Sequence, residues 1–133
     1  MDYPGAITRY TQAIALLNEV YDVPEETLKK SSDLKLSIYL NLAMANLKLK
    51  NYTKLVANCT NALKIDPTNV KALYRRSLGN SSQKLYEEAL KDLQDALNLE
   101  PQNKDVKKEF NRVKDIIQKQ KEREKKMYSK MFN

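Results

Sequence analysis

Two cations set one helical turn apart are the residues in this chain whose types and spacing could do chemistry. Lys71 and Arg75 lie in Asn69-Val70-Lys71-Ala72-Leu73-Tyr74-Arg75-Arg76, directly after Asp66-Pro67, where a helix is expected to open. Residues four apart share a helix face, so both cations present themselves to one ligand, and that ligand must be negative. Arg supplies a planar fork of donors and Lys a mobile point charge, a pair suited to a carboxylate. Little else could react. The sequence has no His, one Cys and two Gly, which leaves no imidazole base, no glycine-rich phosphate loop and no cluster of metal ligands. The carboxylate pairs Glu87-Glu88 and Asp92/Asp95 are expected as solvated charge on outer helices. No catalytic residue, metal or cofactor is therefore expected.

An internal repeat tells how those cations are held. Ala62-Leu63-Lys64-Ile65-Asp66-Pro67 recurs 34 residues on as Ala96-Leu97-Asn98-Leu99-Glu100-Pro101, and Tyr52, Leu55 and Cys59 are matched by Tyr86, Ala89 and Leu93. Each block reads as helix, turn, helix, then Pro. A pair of helices cannot bury its apolar face alone, so successive pairs must stack into one core. The same period sets Asn41 at the position of Arg75, which predicts that stacking brings a neutral amide beside the two cations. Met44 and Leu78 are candidates for lining the same groove. Tyr39 and Tyr74 are expected as core, and Arg76, which stands where the preceding repeat has Leu42, is expected to lay its stem against the packed seam.

Taken in order, residues 1–19 predict an amphipathic helix with Pro4 in its first turn and Ala6, Tyr10, Ala13, Ile14 and Leu17 on one stripe. By its repeat position this is a second helix whose first partner would lie before Met1, which leaves the stripe uncovered and open to self-association as a homodimer. Residues 20–33, with Pro24 and a run of Glu, Ser and Asp, are expected as an irregular connection 15 residues longer than the repeat requires. Ser32 or Asp33 would cap the next helix, from about Leu34 to Leu49. The full repeats are 34–67 and 68–101, with small Ala62, Ala89 and Ala96 letting helices approach. Residues 102–133 predict one long helix whose Val106, Phe110, Val113 and Ile117 cap the last repeat. Gln118 to Lys126 is polar all round and should project into water. All of 1–133 reads as a single domain.

The net charge of +7 is local. Between Lys104 and Lys130 the chain carries 11 Lys and Arg against 5 Asp and Glu, which fits a solvated helix face rather than a nucleic-acid surface. There is no apolar run long enough for a membrane span and no signal-peptide pattern, so a cytoplasmic address is expected, with no membrane or nucleic-acid partner. Cys59 is expected as a small buried side chain.

The 34-residue unit resembles the tetratricopeptide repeat. That resemblance implies an all-α fold: a right-handed superhelical stack of helix pairs, half of a first repeat and two full ones, closed by a long C-terminal capping helix. Asn41 in Tyr39-Leu40-Asn41-Leu42-Ala43, with Lys71 and Arg75, is similar to three positions of the carboxylate clamp in co-chaperone tetratricopeptide domains. The clamp grips the C-terminal Glu-Glu-Val-Asp of heat-shock protein 90 and heat-shock protein 70. The insertion, the long final helix and the ending Tyr128-Ser129-Lys130-Met131-Phe132 resemble the large immunophilins of the cyclophilin-40 and FK506-binding types. Such proteins carry a prolyl isomerase domain ahead of the repeats, so the parent protein would be an isomerase while this chain is not an enzyme. The family clamp also draws a Lys and an Asn from the first helix of the first repeat, so weak or undetectable peptide binding by this chain is expected. The resemblance further implies calmodulin as a partner of the C-terminal helix, against which stands a capping helix with a charged extension. The alternative to chaperone binding is a scaffold or self-association module.

Overall fold

The computed structural model describes residues 1–132, and all regular structure among them is helical. Asn133, which belongs to the expected final segment, lies outside the described residues. The elements are α1 (Tyr3–Leu17), α2 (Glu25–Lys48), α3 (Tyr52–Ile65), α4 (Val70–Ser82), α5 (Tyr86–Leu99) and α6 (Lys104–Met131). Each helix packs on the next in chain order, and α2 also touches α4, as stacked helix pairs require.

Local chemistry sets the helix ends. Asp2 caps α1 by accepting from the Gly5 amide at 2.9 Å, while Asn69 and Asn103 cap α4 and α6 from the amides of Ala72 and Val106. The two turns inside the full repeats are copies of one another. Lys50 and Lys84, 34 residues apart, adopt left-handed backbone (φ 59° and 64°). The following amides of Asn51 and Leu85 then reach back to the carbonyls of Asn46 and Asn80 at 2.9 and 2.8 Å, which is how such turns satisfy the last carbonyls of a helix. Gly79 lets α4 lie close on α3, because a Cβ there would sit 2.8 Å from Val56 Cγ2.

The expected irregular connection over residues 20–33 is corrected by α2, which begins at Glu25 and runs 24 residues. Pro24, rather than Ser32 or Asp33, stands at its N-cap. Proline's fixed φ suits a helix entry, Glu25 and Glu26 in the first turn favour the positive end of the helix dipole, and Glu26 pairs with Lys30 one turn on. Part of the insertion is thus spent on extra turns of helix. The expectation that α1's stripe is uncovered is likewise corrected. Ala6 and Ile14 are buried, and Tyr10, Ala13 and Leu17 pack with Tyr39 around Ile14, Ile38 and Leu42.

Two further apolar clusters complete the core. Ala43, Leu55 and Cys59 join α2 to α3, and Leu73, Ala89, Leu93, Ala96, Val106, Val113 and Ile117 join α4, α5 and α6. Tyr74 and Phe110 pack half-buried against the second of these. The first half of α6 therefore does cap the last repeat, tied further by Arg112, which pairs with buried Glu109 and reaches Ser81 Oγ of α4 at 3.3 Å.

Cys59 is fully enclosed, and burial pushes its thiol up to about 12. The neutral thiol is therefore favoured by the fold: this contribution is complete below the unfolded-state value near 9 and fades as pH rises from there toward 12. Native protein at pH 8 should resist thiol reagents that modify it promptly in denaturant, and thermal midpoints should fall across that alkaline window. Prompt native labelling would contradict the enclosed position.

Candidate functional site

Helix α4 carries Lys71, Arg75 and Arg76 on three different tasks. Arg76 is the structural one. Its Nε and Nη2 donate to Asp92 Oδ2 and Oδ1 of α5, each at 2.7 Å, and its Nη1 lies 3.3 Å from Thr60 Oγ1 of α3. Asp92 is only 4% exposed, so the expectation that it is solvated charge is wrong. Such a carboxylate stays ionised inside a protein only when a paired donor compensates its lost hydration. The stem of Arg76 does lie at the seam, but its head staples three helices. The two-pronged bond to Asp92 raises the guanidinium above its ordinary value, outweighing burial.

Arg75 points elsewhere. About 100° around the helix from Arg76, its Nη1 donates to the Leu40 carbonyl of α2 at 2.9 Å. It is half-buried, and burial pulls its pKa below the ordinary arginine value. No carboxylate partners it among the described residues. The contrast with its neighbour is chemical: Arg76 has a resident carboxylate, whereas Arg75 has a neutral carbonyl and remains short of one negative charge.

Asn41, the residue after Leu40, is exposed on α2, so the α4-to-α2 hydrogen bond brings Arg75 to within one residue of it along the chain. Lys71 is exposed one turn before Arg75. It lines an open cavity of about 260 Å³ between α4 and the start of α6, with Val70, Tyr74, Glu100, Asn103, Asp105 and Val106. The three residues thus span neighbouring layers, Asn41 on α2 and the cations on α4, with Lys71 toward the α6 side and Arg75 toward the α2 side. Among the described residues no side-chain hydrogen bond or ion pair engages Asn41 or Lys71. Met44 and Leu78, repeat equivalents of one another, are half-buried and belong to none of the three apolar clusters. Polar donors without an internal acceptor, beside half-buried apolar side chains, can hold an extended acidic segment.

Sequence reasoning missed Asp92 as the partner of Arg76. A signal existed: at the matching positions of the preceding repeat stand Leu42 and Asn58, so two sites depart from the period together and with opposite charge. It also missed the Leu40 carbonyl, for which the side-chain sequence carries no sign.

No protein-family profile matches the chain. Its sequence is 35% identical over 130 residues to the peptidyl-prolyl cis-trans isomerase FKBP4 of Bos taurus, covering 98% of this chain and 28% of that protein. The chain therefore spans little more than a quarter of that relative's length. Among solved structures it is similar to the C-terminal TPR-containing domain of a Plasmodium falciparum FK506-binding protein. There the TM-score is 0.83 at 29% identity, over 91% of this chain and 81% of the other. It is also similar to the second TPR domain of human RPAP3, solved in complex with the HSP70 peptide SGPTIEEVD. That match has a TM-score of 0.68 at 29% identity and covers 84% of this chain and 81% of the other. The aligned regions are interaction modules, not catalytic ones. Helix pairs stacked on a 34-residue period, superposing on these solved domains, give this chain the tetratricopeptide-repeat fold, and its sequence is similar to one stretch of the isomerase FKBP4.

Proposed function

We propose that this chain is the peptide-binding module of a co-chaperone, holding the acidic C-terminus of a heat-shock protein 90 or 70 through Asn41, Lys71 and Arg75, in the cytoplasm. The observation that carries the reading is Arg75, a half-buried guanidinium whose hydrogen-bond partner is a neutral carbonyl. Desolvating that charge without a counter-ion costs free energy that an incoming carboxylate returns. Lys71 adds long-range attraction, and Asn41 an amide that can donate to a carboxylate oxygen. Support also comes from the RPAP3 domain, whose bound HSP70 peptide ends in Glu-Glu-Val-Asp. The Bos taurus relative is a prolyl isomerase, and the reading extends to a parent protein in which these repeats deliver an isomerase to chaperone-bound clients.

A fluorescence titration with an acidic peptide carrying a free C-terminal carboxylate tests the assignment. Lys71→Ala and Arg75→Ala should each weaken binding by about tenfold or more, the value of one charge-assisted hydrogen bond. Binding left unchanged by both would refute the clamp and favour a scaffold whose groove takes something else.

A further inference from the structure

Beyond Ile117, the last buried residue of α6, the helix continues to Met131 with every described side chain exposed. Two features organise this projecting half. Lys119, Arg123, Lys126 and Lys130 follow at steps of four, three and four residues, which places them in one stripe along the helix. Asp115 pairs with Lys119 at the inner end of that stripe, leaving the outer three cations nearest the tip. Beside the stripe, Met127 and Met131 extend the row begun by Arg123, and on the next row the rings of Tyr128 and Phe132 lie 4.6 Å apart, tilted at 43°. These four apolar side chains are 65 to 75% exposed. Residues 118–132 carry six Lys and Arg against two Glu.

We infer that this tip is a membrane-surface contact that lays Met127, Tyr128, Met131 and Phe132 into the headgroup boundary of an anionic bilayer while the basic stripe engages lipid headgroups. Charge complementarity and the placement of the apolar side chains carry the choice of occupant. An amphipathic tip of this kind needs cations flanking aromatic or long aliphatic side chains, and here Lys126 and Lys130 lie on the row next to Met127 and Met131, with Arg123 one turn inward. An acidic helix-wrapping protein such as calmodulin requires apolar anchors spread over several turns. Here no apolar residue lies between Ile117 and Met127, about 15 Å along the axis, so the anchors occupy little more than one turn. A bilayer takes a short tip; a groove does not. The tip cannot span, since among the described residues no helix is long and apolar enough to cross a membrane. The contact is peripheral.

Co-sedimentation of the whole chain with vesicles of pure phosphatidylcholine, and of phosphatidylcholine with phosphatidylserine, tests this directly. Binding is expected only with phosphatidylserine, declining as salt is raised. Lys126→Gln with Lys130→Gln should weaken it roughly thirtyfold, about fivefold for each cation removed. The chain lacks Trp, so Phe132→Trp gives a clean probe whose emission should shift to the blue on anionic vesicles alone. No sedimentation with anionic vesicles, equal binding to neutral ones, or an unshifted Trp would overturn the inference. So would a tight calcium-dependent complex with calmodulin in a chain that ignores vesicles.

Discussion

Arg76→Leu should lower the unfolding free energy by about 3 to 5 kcal/mol, the usual cost of leaving one partner of a buried ion pair alone. Asp92 is enclosed, and Arg76 supplies both of its close hydrogen bonds. Leucine at position 76 would fill the seam as Leu42 does in the preceding layer, yet strand a carboxylate inside it. For a domain whose whole stability is on the order of 5 to 15 kcal/mol, that is a third or more of the total in most cases, and the urea midpoint of the single variant should fall steeply.

The repeat also supplies the rescue. In the preceding layer the matching positions are Leu42, Asn46 and Asn58, and Asn46 Nδ2 donates to Asn58 Oδ1 at 2.7 Å. Position 80 is already Asn. Arg76→Leu combined with Asp92→Asn therefore rebuilds that arrangement between α4 and α5, and should recover most of the loss. Urea unfolding followed by circular dichroism measures both variants. A single variant as stable as the parent, or a double variant no better than the single, would show that the ion pair does not carry the seam.

Joint removal of the two groove cations should have the largest effect on binding. Each charge-assisted hydrogen bond contributes about 1.5 to 3 kcal/mol, so Lys71→Ala with Arg75→Ala should weaken peptide binding by about three powers of ten or abolish it. Stability should respond far less. Arg75→Ala gives up one hydrogen bond to the Leu40 carbonyl, worth about 1 kcal/mol, and Lys71 is exposed with no internal ion pair. The two effects are separable because the residues that staple the layers and those that lack a counter-ion are different residues. Calorimetry on the double variant, with its melting curve alongside, reads both. Retained affinity would dissociate the groove cations from peptide binding.

Adjacent residues on one helix thus differ in how far sequence could reveal them. The period of 34 made α3, α4 and α5 legible nearly to the residue, since Ala62, Ala89 and Ala96 recur where helices touch and each is fully buried. It also aligned Asn41 with Arg75, and Arg75 does reach α2 beside Asn41. The start of α2 was not legible. Its Glu25 to Lys30 segment is exposed all round, so no apolar periodicity marks it as helix, and a Ser-Ser-Asp run reads as a cap until it is seen inside one. Asp92 was misjudged for a related reason. A charge among periodic apolar residues looks solvated unless its partner is known, and the partner lies 16 positions away on another helix. The Leu40 carbonyl is harder still, because a helix carbonyl already serves the backbone and its second lone pair leaves no trace in residue identity.

The proposed grip of Asn41, Lys71 and Arg75 on a carboxylate-terminated chain is open to a direct test. An NMR titration of the isotopically labelled chain tests it, using a peptide ending in Glu-Glu-Val-Asp and the same peptide with its C-terminus amidated. The free acid should shift resonances around Leu40–Asn41 on α2 and Lys71–Arg75 on α4, and amidation should greatly reduce those shifts. Equal shifts from both peptides, or shifts confined to other helices, would contradict it.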